Sequence, residues 1–105
     1  MIAFLSLYKL KPEVTPDLFE DLMSSTRVQL LRIPEILAVK TGKRVNPNDP
    51  WPWFVYLETE SMDKLAIAQD DPYYIKFREE ILRPHVAETE AVAFEMEPRK
   101  DVKYS

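Results

Sequence analysis

Apolar residues fall into four short dense runs, and the stretches between them repeat apolar positions at steps of three and four. The first run, Ile2, Phe4, Leu5, Leu7, Tyr8 and Leu10, stops at Lys11-Pro12 and predicts a strand of ordinary length. Thr15-Pro16-Asp17 then supplies an N-cap, a proline at the first helical position and an acid against the helix dipole. Leu18, Phe19, Leu22, Met23, Thr26, Leu30 and Ile33 line one face of the helix that follows. Pro34 ends it, so the helix is expected over about residues 16–32. In EILAVKTGKRV, Ile36 to Val39 are apolar on both sides of the pleat and predict a second strand. NPNDPWP closes a turn, and WFVYLET, Trp53 to Thr59, carries the strongest strand pattern in the chain.

Ser61 caps a short helix containing Leu65 and Ala68. Asp71-Pro72 starts another, in which Tyr74, Phe77 and Ile81 share a buried stripe, Tyr73 points elsewhere and Pro84 terminates or kinks the run. From Val86 to Met96, Val92, Phe94 and Met96 alternate with Ala91, Ala93 and Glu95, which predicts a fourth strand with one large-residue face. The order is β-α-β-β-α-β, with the second helical region in two pieces. Connection rules then favour an α+β fold: a four-stranded antiparallel sheet with helices on one face. Residues 1–97 form the expected domain, and the polar stretch 98–105 is expected to be a loose tail.

A sheet covered by helices on one side should turn polar on the other if water wets it. This sheet does not. In the first strand Ile2, Phe4 and Tyr8 oppose Ala3, Leu5 and Leu7, and in the third Trp53, Val55 and Leu57 oppose Phe54 and Tyr56. At ~25 cal/mol per Å² of apolar surface, a few hundred Å² of wet sheet forfeits several kcal/mol, comparable with the stability of a whole domain. A second copy is the simplest cover, so a two-fold homodimer with face-to-face sheets is expected, its interface built from Leu5, Leu7, Trp51 and Trp53; the rival readings are a monomer whose long tyrosine and tryptophan side chains fold over the wet face, and Trp51 and Trp53 as a lip over a pocket.

Composition narrows the partners. With 105 residues, 14 basic and 18 acidic side chains and a net charge of -4, the chain lacks the basic stripe of a nucleic-acid binder. No stretch approaches the ~20 apolar residues that span a bilayer, so no membrane partner is expected. The opening residues lack the basic flank and cleavage site of a signal peptide, and the absence of cysteine fits a reducing cytoplasm. It also removes thiolate chemistry and cysteine-ligated metals.

The stretches FLSLYKLKPEVTPD, IPEILAVKTGKRV, YLETESMDKL and DPYYIKFREEILRPHV, in this order and spacing, resemble the stress-responsive A/B barrel family of dimeric α+β barrel domains. The resemblance covers about residues 1–97. It implies a ferredoxin-like protomer and a barrel-forming dimer with a pocket between helices and sheet, and much less about activity; no cofactor is expected. Some members resemble cofactor-free polyketide cyclases that use a histidine ending a His-Pro-x-His stretch, a tyrosine six residues earlier and a histidine on the first strand. Those places read Tyr74, Ala68 and Phe4 here. A phenol with pKa near 10 donates a hydrogen bond but is a poor base at neutral pH, so that machinery does not carry over.

Each candidate residue has an ordinary role beside its functional one. Tyr74 is a core tyrosine or the donor to a carbonyl or phenol ligand, with Phe4, Ser6, Tyr8 and Phe77 as further lining of the same pocket. His85, the only histidine, ends a helix and is a weaker catalytic candidate. Grouped with Glu88 and Glu90 it has no diagnostic ligand spacing, so no metal is expected. The pair Asp70-Asp71 diverges at a helix entrance rather than forming an acid–base dyad. Lys9, Lys11 and Lys43-Arg44 could meet an anion, although solvated strand ends explain them as well. The leading expectation is a homodimer that binds an apolar or aromatic small molecule. A cyclase-like or monooxygenase-like enzyme without cofactor, and a ligand-free structural protein, are the alternatives.

Overall fold

The computed structural model describes residues 1–97; the tail expected over 98–105 lies outside the described residues. The chain runs β1 (Ile2–Leu10), α1 (Pro16–Leu30), β2 (Ala38–Lys43), β3 (Trp53–Thr59), α2 (Met62–Asp70), α3 (Pro72–Phe77), a π turn (Arg78–Leu82), α4 (Arg83–His85) and β4 (Val86–Glu95). The strands form one antiparallel sheet in the order β2-β3-β1-β4.

The helix starts follow from their caps. The Thr15 hydroxyl accepts from the Leu18 N–H at 3.2 Å, Ser61 from Lys64 at 3.2 Å, and the Asp71 carboxylate from Tyr73 at 2.8 Å. Two ends differ from the sequence reading. α1 stops at Leu30 because the chain ahead of Pro34 tightens, the Arg32 N–H reaching back three residues to the Gln29 carbonyl. β2 begins at Ala38, since Ile36 drops into the core from the connection and bonds back to the Ile33 carbonyl.

The π turn was not foreseen. Pro84 has no N–H and its ring crowds the carbonyl four residues back, so the turn before it widens and the Arg83 N–H donates to the Arg78 carbonyl, five residues away.

Register fixes the two faces. Tyr8 lies opposite Trp53, Ser6 opposite Val55 and Ala91, and Phe4 opposite Leu57 and Ala93. These residues point towards the helices, where Leu22, Leu30, Ile33, Tyr74, Phe77 and Ile81 complete the core. Trp53, expected at a subunit interface, is therefore corrected: it is 1 % exposed on the helix-covered side. Its indole N–H donates to the Thr41 hydroxyl at 2.7 Å, which in turn donates to the Phe54 carbonyl at 2.8 Å. A buried indole needs such a partner, and one across the β2–β3 ladder holds the ring inside.

The opposite face carries Ala3, Leu5 and Leu7 of β1, Phe54 and Tyr56 of β3, and Val92 and Phe94 of β4. Among the described residues no helix covers it, and Phe94 is 52 % exposed. Trp51, half-buried, stands at its rim, with the Lys9 ammonium 5.0 Å from the ring centroid.

Candidate functional site

The inward side chains of β1 meet the helical segment 72–82 at a group of hydroxyls. Ser6 and Tyr8, two residues apart on a strand, share its inner face, and Tyr74, on the buried stripe of α3, faces them. All three residues are less than one-tenth exposed. Burial pushes the Tyr8 phenol well above the ordinary tyrosine range; a hydrogen bond with Ser6 offsets part of this, and the neighbouring Tyr74 adds to it. Burial also raises Tyr74, against the lowering effects of a hydrogen bond with the Gln69 side chain and of the Arg78 charge. At neutral pH both phenols are protonated, which makes them donors and very poor bases.

Aromatic packing holds these groups in place. Tyr8 and Trp53 lie 4.9 Å apart between centroids, Phe19 meets Trp53 edge-on at 5.9 Å, and Tyr74 meets Phe77 edge-on at 5.7 Å. The Arg78 guanidinium sits 5.5 Å from the Tyr74 ring centroid and donates to the Gln69 carbonyl at 3.0 Å.

β4 borders this region. Its inner-face residues Thr89, Ala91 and Ala93 are small and exposed, since they extend past the cover of the helices. Between them and the π turn lies a cleft of about 340 Å³ lined by Arg78, Glu79, Leu82, Arg83, Val86 and Thr89. Arg78 borders the cleft and Tyr74 alike, and Thr89 pairs with Tyr8 across the sheet. The rim charge is partly internal, because Arg83 pairs with Glu79 at 3.0 Å.

The structure thus brings Ser6, Tyr8, Tyr74 and Phe77 together, with Phe4 half-buried against the same core. His85 plays a local part. Its Nδ1 lies 3.0 Å from the Ile81 carbonyl, which fixes the proton on that nitrogen, and its own carbonyl accepts from the Lys11 N–H at 2.8 Å. It thereby ties the chain after β1 to the entry of β4. Sequence reasoning missed Gln69 and Arg78. Arg78 had a signal, since it follows Tyr74 by four residues on a helical run; Gln69 belongs to a different helix and had none.

Solved structures of similar shape decide the architecture. The chain has a ferredoxin-like fold. A dimeric ferredoxin-like protein of unknown function from Thermobifida fusca superposes with a TM-score of 0.81 at 23% identity, over 90% of each chain. A dabb family protein with a ferredoxin-like fold from Mesorhizobium loti gives 0.80 at 13% identity, covering 90% of this chain and 95% of its own. Hydroxynitrile lyase from Passiflora edulis gives 0.81 at 12% identity, over 94% and 95%. No protein-family model and no curated protein matches the sequence. The ferredoxin-like topology agrees with the expected order and pairing of the elements. Among the described residues no helix is long and apolar enough to cross a membrane.

Proposed function

We propose that the protein is a homodimer, closed through the apolar sheet face, whose protomer binds an apolar or aromatic small molecule between segment 72–89 and the inner face of β1. The observation that carries the binding reading is the Ser6–Tyr8–Tyr74 hydroxyl group set among aromatic rings beside an open cleft. A site of this kind is mostly apolar, with few convergent donors, and suits a ligand that presents a carbonyl or phenolic oxygen. Tyr74 has the Arg78 guanidinium beside its ring, and this charge favours negative charge developing on the ligand oxygen. The dimer reading rests on the uncovered Leu5, Leu7, Phe54, Val92 and Phe94 and on the dimeric state of the Thermobifida protein.

Thermal denaturation with a panel of polyphenols and aromatic ketones tests the binding reading, because a ligand that binds only the folded state raises Tm. For a ligand so found, Tyr74→Phe is expected to weaken affinity by about three- to tenfold, the worth of one hydrogen bond. A panel without any shift, or a Tyr74→Phe protein that binds undiminished, defeats the assignment.

A second reading is an enzyme without cofactor. The Passiflora hydroxynitrile lyase shows that catalysis occurs on this fold, and a phenol that stays protonated beside an arginine can serve as a hydrogen-bonding acid. Formation of product from a bound panel member would establish it; stoichiometric binding without turnover keeps the protein a binding module.

A further inference from the structure

We infer, resting on the homodimer proposed above, that its two copies pair about a two-fold axis running along the strands. β2 of each copy then lies over β4 of the other, and Lys40 meets Glu90 of the partner subunit. The pairing registers lay the apolar sheet face out in rows from β2 to β4: one runs from Ala38 to Phe94, the next from Lys40 to Val92, and the third from Gly42 to Glu90.

Few charges interrupt this face. Lys9 and Glu88 neutralise each other within the chain at 3.0 Å. Among the described residues Lys40 and Glu90 form no salt bridge, and Lys40 has only the Tyr56 ring, 5.6 Å from its ammonium. They stand on opposite edge strands, three strand spacings or ~14 Å apart, too far to pair with each other. Each is an uncompensated charge that a covering sheet must meet.

Two aligned packings of this face on its own copy close a dimer. An axis across the strands lays each strand over its copy, so Lys40 approaches Lys40, Glu90 approaches Glu90, and Phe94 meets the acids of its own strand. An axis along the strands keeps the rows and reverses their order. Lys40 then faces Val92 of the partner subunit, with the partner subunit's Glu90 two residues away on that strand. With sheets ~10 Å apart and two residues spanning ~7 Å, the Cα atoms lie about 12 Å apart, within the joint reach of the two side chains. The symmetry makes this pair twice. Opposite charges select this packing and like charges select against the other. Shape agrees, since the half-exposed Phe94 of the partner subunit lies over Ala38, a large side chain over a small one. Glu58, half-buried on β3, is the third unpaired charge among the strands' outer residues, and its approach to its own copy is one like pair against two opposite pairs.

A charge-reversal cycle tests the pairing, with full-length protein at low salt and the dimer dissociation constant read by sedimentation over a dilution series. Lys40→Glu and Glu90→Lys should each raise the constant by about tenfold or more, because each turns two opposite pairs into like ones. The double variant restores both pairs and should return to within about threefold of the parent chain, a recovery that shrinks at high salt. Since the two positions do not touch within one chain, such recovery reports a contact between copies. Where thermal melts show that a reversal disturbs folding, Lys40→Gln and Glu90→Gln keep the test. Each should weaken the dimer, whereas in the crossed packing each would relieve like charges and tighten it. Additive losses in the double variant, or single variants that dimerise as tightly as the parent chain or more so, overturn the pairing and leave the homodimer standing. A parent chain that is monomeric at every concentration overturns both.

Discussion

The only glycine in the sequence, Gly42, stands opposite Phe54 on the apolar sheet face, and replacing it with alanine probes the proposed dimer. A Cβ at this position would lie 2.8 Å from Cε1 of the Phe54 ring, 3.4 Å from Cζ and 3.7 Å from Cδ1. Carbon atoms rest ~3.5–4.0 Å apart, so the ring must retreat by about 1 Å. In an isolated protomer the ring borders solvent and can swing away. There Gly42→Ala is neutral or gains about 0.5–1 kcal/mol, because glycine in a strand interior loses the most backbone freedom on folding. Where a second sheet packs against the face, the ring has nowhere to go, and overpacking of this kind costs about 1–3 kcal/mol at each site. A two-fold interface contains the substitution twice. The dimer dissociation constant should therefore rise by ~30-fold or more, at 1.4 kcal/mol per tenfold. Light scattering and sedimentation across a dilution series measure the constant, and thermal melts at fixed concentration measure protomer stability separately. If Gly42→Ala dimerises as tightly as the parent chain, this face is not the one that packs.

Two further outcomes concern the helix–sheet contact. Tyr8 and Tyr74 have raised pKa values in the folded chain but ordinary ones near 10 when unfolded, so above pH 10 the unfolded chain holds fewer protons and stability falls. Stability should be unaffected by these groups below pH 10 and decline above it. The decline should flatten in Tyr8→Phe and Tyr74→Phe, read by urea denaturation at stepped pH; an equally steep loss in both variants removes the cause given. Asp71→Ala deletes the cap of α3 and should cost about 1 kcal/mol by denaturant titration, with Asp71→Asn recovering most of it and Asp70→Ala, on the neighbouring residue, costing little.

Local chemistry made most of the architecture legible. Thr15, Ser61 and Asp71 marked helix starts because capping is decided within a few residues, and the parity of β1 and β3 separated Phe4, Ser6 and Tyr8 from Leu5 and Leu7. Parity tells which side chains travel together, whereas the side on which the helices settle depends on distant packing. Trp53 was misplaced for that reason: its companions Val55 and Leu57 already shared its side, yet the general enrichment of aromatics at interfaces outweighed them. The π turn escaped notice because a proline in a helical run signals a break without specifying how the backbone absorbs it. Within the site, the tyrosines were visible as types on a stripe. The Gln69 bond and the Arg78 contact join separate helical segments, and one chain position says little about its partner on another.

The strand order has a consequence for how the chain acquires its structure. β1 sits inside the sheet, yet its two neighbours are the third and fourth strands, with Ile2 opposite Thr59 and Glu95. During synthesis the segment IAFLSLYKL must therefore wait, unpaired, until roughly half the chain has followed it, and longer for its second partner. Such distant pairings slow folding, and a waiting segment this apolar is exposed to intermolecular association. Nascent chains stalled before residue 53 should therefore be the species that a chaperone holds, and the emergence of β3 the event that frees them.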